Sequence, residues 1–225
     1  MLWRQAEKIS PILKNLYNMI AQPPKPNLEG DRDIEYSWIS ANLPAGPGKA
    51  MDFGCNFGWM GLLAARKGFK VTAVDLKFTS WSYRHPDLEF VQGDILKLKL
   101  APGSLDLIIN CSSIEHVGLA GRFGVAEANA EGDFTAMSVL NSILKVNGIM
   151  LLTIPVGRDK IFSSMHRVYG EKRLPKLLLG WDILEKEYWV KDNDNRWVRV
   201  DEAVALGKEP LEYCYGLGLF KLRKL

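Results

Sequence analysis

From residue 49 onward, short apolar runs of strand length alternate with stretches of helical spacing. The first run, residues 50–53, ends at Gly54, and a helical stretch carrying Leu62, Leu63 and Ala65 follows Gly58. Residues 71–74 form a second run that ends in Asp75, and residues 88–91 a third. Residues 105–110 stay apolar after Asp106, as a central parallel strand requires. Residues 134–146 predict a helix and 150–154 a fifth strand stopped by Pro155, while 165–179 read as helix or coil. The last quarter is different. Residues 181–190 and 196–200, rich in aromatic and β-branched side chains, flank a turn at 191–195, and 217–222 form a final strand. Strands alternating with helices and then a closing antiparallel hairpin predict one α/β domain over residues 49–225.

Ahead of that domain, residues 1–48 predict a helical extension. Ile9, Leu13, Leu16, Tyr17 and Ile20 fall at helical spacing within 2–20, interrupted or restarted at Pro11. Such a helix serves equally as a lid, a dimer contact, a membrane-surface element or a layer packed on the domain's own sheet. Pro23, Pro24 and Pro26 break the chain. A second short helix then spans 32–43, closed by Pro44, Gly46 and Pro47. Its Arg32, Glu35, Tyr36 and Trp38 are candidates to reach a ligand cleft, and a salt-bridged helix with buried aromatics explains them as well.

Composition narrows the picture only a little. The chain has 225 residues, 47% hydrophobic and 24% charged, as expected of a globular protein with a substantial core. A formal net charge of +3, with basic residues scattered except at Lys221, Arg223 and Lys224, offers no footprint for a nucleic-acid partner. Cys55, Cys111 and Cys214 are widely separated and form no disulfide framework, so a reducing cytoplasm is the expected location. No apolar run reaches the length of a membrane span, and charges interrupt any secretory signal at the start.

The candidate chemistry centres on Ala50-Met51-Asp52-Phe53-Gly54-Cys55-Asn56-Phe57-Gly58, a strand running into a glycine turn and then a helix. A strand-terminal acid, Asp75, follows about twenty residues on. In a βαβ unit such a turn brings backbone N–H groups close to a nucleotide, and the acid takes both ribose hydroxyls. A dinucleotide fingerprint would need glycine where Asn56 and Trp59 stand, which weakens the alternative of a nicotinamide-dependent oxidoreductase. The absence of any Y-x-x-x-K pair weakens the short-chain dehydrogenase form of it further. The pattern Asp52-x-Gly54-x-Asn56-x-Gly58 resembles the first motif of class I S-adenosylmethionine (SAM)-dependent methyltransferases, with Asn56 replacing the middle glycine. Asparagine tolerates the left-handed conformation better than most residues.

That resemblance implies a Rossmann-like, doubly wound, mostly parallel seven-stranded sheet with a C-terminal antiparallel hairpin. It implies SAM as cofactor, held by Asp52, Gly54, Asn56, Gly58, Asp75 and Leu76, with Asp94 and Ile95 on the adenine and Ser112 across the cleft. Taken alone, Asp94 also reads as a turn residue after Gly93. The ligand in such a sheet lies beyond the carboxyl ends of the strands, where the winding reverses, so residues 110–116 face the methyl group. His116 is then the candidate general base and Glu115 its orienter, or an acceptor for a substrate hydroxyl. Ser112-x-x-Glu115 also has the spacing of a capping box, and His116 that of a structural histidine.

The run from Glu115 to Gly124, EHVGLAGRFG, is similar to a little-characterised methyltransferase-like subfamily reading E-H-x-G-L-G-R-[FY]-G, with Ala120 inserted. Members are associated with surface-sugar or small-metabolite modification. Arg122, His166 and Arg167 become candidate substrate contacts, although an exposed helix start explains the last two equally. His116, His166 and Asp133 have no tight metal-ligand spacing, and no metal site is expected. No N-P-P-[YF] follows the fourth strand, where Asn110-Cys111-Ser112-Ser113 stands, which disfavours methylation of nucleic-acid bases. The expectation is O-methylation of a small hydroxylated molecule such as a sugar. The alternatives are an NAD(P)-dependent oxidoreductase and a non-catalytic partner protein of the same fold, with homo-oligomerisation through the N-terminal helix possible.

Overall fold

The computed structural model describes residues 27–121, 125 and 128–225. The expected helix at 2–20 and Arg122 lie outside the described residues. The chain enters as α1 (Asp31–Asn42) and then winds through β1 (Gly48–Phe53), α2 (Met60–Arg66), β2 (Phe69–Asp75), β3 (Leu88–Gln92) and β4 (Leu105–Cys111). A single 3-10 turn, Ile114–His116, leads towards α3 (Gly132–Ile143) and the long β5 (Leu144–Val156). The remainder is β6 (Lys160–Phe162), β7 (His166–Val168), α4 (Leu174–Leu177), β8 (Trp181–Lys191), β9 (Trp197–Val200), α5 (Glu202–Gly207) and β10 (Gly216–Lys224).

The main sheet runs in the order β3-β2-β1-β4-β5-β10-β8-β9. The five strands from β3 to β5 are parallel, and β10 inserts antiparallel between β5 and β8. The sheet has eight strands where seven were expected. β9, the second arm of the expected hairpin, pairs Val200 with Tyr188 and Trp197 with Lys191 on the outer edge and carries the count past the seven that the resemblance implies. The hairpin turn forms because the Asp192 carboxylate accepts the N–H groups of Asp194 and Arg196, while Asn195 takes the left-handed conformation.

Both faces of the sheet are covered, which is why the central strands are apolar almost throughout. Alternate residues feed opposite cores. Ile108, Met150 and Leu152 join α3 and α4 on one face, and Leu107, Ile109 and Leu151 join α1 and α2 on the other. Trp38 and Ile39 bury α1 into that second core, so this helix is a layer of the sandwich. β5 begins at Leu144, directly after α3, where sequence spacing carried the helix on to Val146. Residues 160–168 form the β6–β7 hairpin, with Ser164 in the left-handed conformation at its tip, so the start of the stretch expected as helix or coil is a strand. Among the described residues no helix is long and apolar enough to cross a membrane.

Candidate active site

Winding reverses between β1 and β4, and the glycine turn leaves β1 at that point. Gly54 has φ +71°, and a Cβ there would collide with the Ser113 side chain, so only glycine fits. Gly54 and Cys55 donate their N–H groups to the Val74 carbonyl (2.8 and 3.2 Å), tying the turn to β2. Asn56, at φ +42°, donates its N–H to Asp75 Oδ2 at 3.0 Å. Lys77 donates its N–H to the other oxygen of Asp75 at 2.9 Å. A carboxylate has about four acceptor sites, so Asp75 retains capacity for ribose hydroxyls. Beneath the turn, Asp52 Oδ2 accepts the Gly61 N–H at 2.8 Å. Burial, opposed by that hydrogen bond and reinforced by Asp75, pushes the Asp52 carboxyl up to about 7.

The next two strand ends join this cluster. Gly93 donates its N–H to the Asp75 carbonyl (2.8 Å), and Gln92 Nε2 donates to the Leu76 carbonyl (3.1 Å). Asp94 accepts the Leu96 N–H at 3.0 Å, so its turn role is realised in the structure. Ile95 is buried in the core cluster that contains Val74.

Across the cleft, α1 delivers Glu35 to the ends of β4 and β5. Glu35 is fully buried, accepts the hydroxyls of Ser112 and Thr153 (2.7 Å for Thr153), and pairs with Arg32 at 2.6 Å. Burial pushes its carboxyl up, against the pull of Arg32 and the two hydroxyls. Ser112 itself sits at φ +45°. Its hydroxyl goes to Glu35 and the segment is only one 3-10 turn without a side-chain cap, so no capping box forms.

His116 is half-buried, and its Nδ1 lies 2.5 Å from the Met165 carbonyl oxygen. A carbonyl only accepts, so Nδ1 donates its proton to Met165. Glu115 lies 3.6 Å from Nε2, too far for a hydrogen bond but close enough to stabilise a proton arriving there. Met165 thus supplies a bond that fixes the His116 ring, with Glu115 beside the same ring. His166 is buried against Phe162 and Tyr215, with its ring 6.4 Å from that of His116.

Arg167 differs from expectation. It is fully buried, and its guanidinium donates to the carbonyls of Glu115, Val117, Asn129 and Ala130 at 2.7–3.2 Å. It clamps both ends of the 117–130 loop from inside the protein and does not face the cleft. Asp133 is committed nearby. Arg173 takes it in a fork at 2.6 and 3.0 Å, the Tyr169 hydroxyl donates to it at 3.0 Å, and Arg167 lies 3.6 Å away. Sequence reasoning did not single out Thr153, Trp81 or Tyr83. The last two lie in the loop 76–87, directly after Asp75, which also carries Phe78, and that aromatic content was the available signal.

Comparison with known proteins agrees with this architecture. The Burkholderia thailandensis 1,6-didemethyltoxoflavin-N1-methyltransferase, solved with bound 1,6-didemethyltoxoflavin and S-adenosylhomocysteine, superposes with a TM-score of 0.61 at 15% identity, covering 87% of this chain and 79% of that one. The N-methyltransferase NodS from Bradyrhizobium japonicum WM9, solved with S-adenosylhomocysteine, gives 0.56 at 14% identity, covering 92% and 94%. In sequence, "Putative methyltransferase YqeM" of Bacillus subtilis (strain 168) is 30% identical over 124 residues, which is 52% of this chain and 46% of the relative. The chain thus spans about half the length of the curated relative it matches. The fold is that of the class I SAM-dependent methyltransferases. Within it, the chain belongs to the family described as "Caenorhabditis protein of unknown function, DUF268", whose model matches residues 89–203.

Proposed function

We propose that the protein is a SAM-dependent methyltransferase that O-methylates a small hydroxylated molecule, such as a sugar or comparable metabolite. The observation that carries this reading is Asp75 gripping Asn56 in a turn whose Gly54 packs directly on the Ser113 side chain after the fourth strand. Gly54, Asn56 and Gly58 supply close backbone approach, Asp75 takes the ribose hydroxyls, and Asp94 with Ile95 flanks the adenine. Asp52, Leu76 and Ser112 complete the cofactor wall. When bound, SAM supplies an activated methyl group together with its own leaving group, so the protein chiefly aligns the reactants and excludes water. His116 Nε2 accepts the proton of the acceptor hydroxyl, Met165 holds the ring, and Glu115 stabilises the imidazolium. Arg122 and His166 remain the proposed substrate contacts, and Arg167 acts only through the loop it clamps.

Calorimetry with S-adenosylhomocysteine tests the cofactor reading. Binding in the micromolar range is expected for the wild type, and its loss in Asp75→Ala. No heat from folded wild-type protein would overturn the proposal. With a panel of hydroxylated acceptors, His116→Ala lowers kcat by about 10²–10⁴-fold while cofactor affinity is retained.

A further inference from the structure

The glycine turn is held from outside as well as from below. Trp81, in the loop between β2 and β3, donates its indole N–H to the Asn56 carbonyl at 3.1 Å. Tyr83 donates its hydroxyl to the Gly58 carbonyl at 2.8 Å. The two rings stack on each other, with centroids 5.6 Å apart and planes 6° from parallel, and Trp81 meets Phe90 edge-on at 5.7 Å. Both residues are half-buried, so the pair forms a braced arm reaching back over the turn.

The contacts fall on the two carbonyls that matter for the shape of the turn. A trans peptide is planar, so fixing the Asn56 C=O also sets the direction of the Phe57 N–H, and fixing the Gly58 C=O sets that of the Trp59 N–H. These amides belong to the turn that approaches the cofactor. Asn56 is also the one position where this chain departs from the glycine pattern, and it sits in the left-handed region at φ +42°. Glycine occupies that region without penalty, whereas asparagine, though more tolerant of it than most residues, does so at some cost. Asn56 is pinned on both sides, by Asp75 on its N–H and by Trp81 on its C=O.

We propose that Trp81 and Tyr83 are positioning residues for the cofactor: an aromatic staple that holds the Asn56 turn in its ligand-accepting shape, in place of the missing glycine. The inference rests on the cofactor reading above. It requires the staple to act on affinity for the nucleoside ligand rather than on global stability.

Trp81→Phe and Tyr83→Phe each remove one donor and keep the ring. Each is expected to weaken S-adenosylhomocysteine binding by about fivefold, the scale of one neutral hydrogen bond, with the melting temperature lowered by no more than about 2–4 °C. In the unliganded protein, each variant should speed amide hydrogen exchange at residues 55–59. Asn56→Gly in the Trp81→Phe background removes the strain and should restore affinity to within about twofold of wild type, which a merely structural role for Trp81 would not allow. Unchanged affinity and exchange in both single variants overturns the staple. So does weakened binding that tracks a loss of stability and resists the Asn56→Gly rescue. Wild-type protein that fails to bind S-adenosylhomocysteine overturns the cofactor reading, and the staple's role in positioning that ligand falls with it. The exchange data still separate that failure from one of the staple's geometry.

Discussion

Asp52 sits under the glycine turn with its carboxyl raised from the ordinary 3.8 to about 7, chiefly by burial. Between those values the folded chain keeps a proton that the unfolded chain has released. Its stabilising contribution is therefore complete below about pH 4 and is lost as pH rises through about 7. Asn at this position still accepts the Gly61 N–H through its amide oxygen and does not titrate. Asp52→Asn is thus expected to gain on wild type by about 2–4 kcal/mol between pH 4 and pH 8. Urea unfolding of both proteins across that range checks this, and parallel pH profiles would refute it. The motif marked Asp52 as important, but its protonation depends on burial by neighbours that spacing does not reveal.

At the level of elements, the segment after β4 shows how one side chain organises another stretch of chain. Arg167 on β7 reaches four carbonyls at the two ends of the 117–130 loop, and burial lowers its pKa against the support of Asp133. Removing a buried cation with these partners costs about 3–5 kcal/mol. Arg167→Met should show that loss in urea unfolding. Arg167→Lys should also destabilise, because an ammonium cannot match the planar fork. A lysine variant with wild-type stability but raised KM would restore the substrate-contact role and sink the clamp. The same logic explains Glu35. Its sequence position on α1 made it a candidate for the cleft, and the structure plants it among Ser112, Thr153 and Arg32, where it ties the helix to two strand ends.

For the whole molecule, a ligand that binds only the folded chain stabilises it by mass action. At about one hundred times its Kd, S-adenosylhomocysteine should add about 2.7 kcal/mol, or about 5–10 °C in Tm for a chain of this size. NADH should leave Tm unchanged, since Asn56 and Trp59 break the dinucleotide spacing. A shift with NADH and none with S-adenosylhomocysteine would move the protein to the oxidoreductase class. Calorimetric scans with each ligand make the comparison.

Local pattern was enough for the parallel half of the sheet, the glycine turn and Asp75 at its edge. Apolar runs, a glycine before a helix and a strand-terminal acid are all short-range features, legible within a few residues. The β8–β9 hairpin was legible for the same reason. Insertion of β10 between β5 and β8 was not, because strand partners far apart in sequence are chosen by packing. The roles of Arg167, Met165 and Glu35 also depended on contacts spanning 37 to 118 residues. A histidine or arginine in a string of letters has chemistry but no address. Only the folded chain decides whether its charge meets a carbonyl, a carboxylate or a ligand.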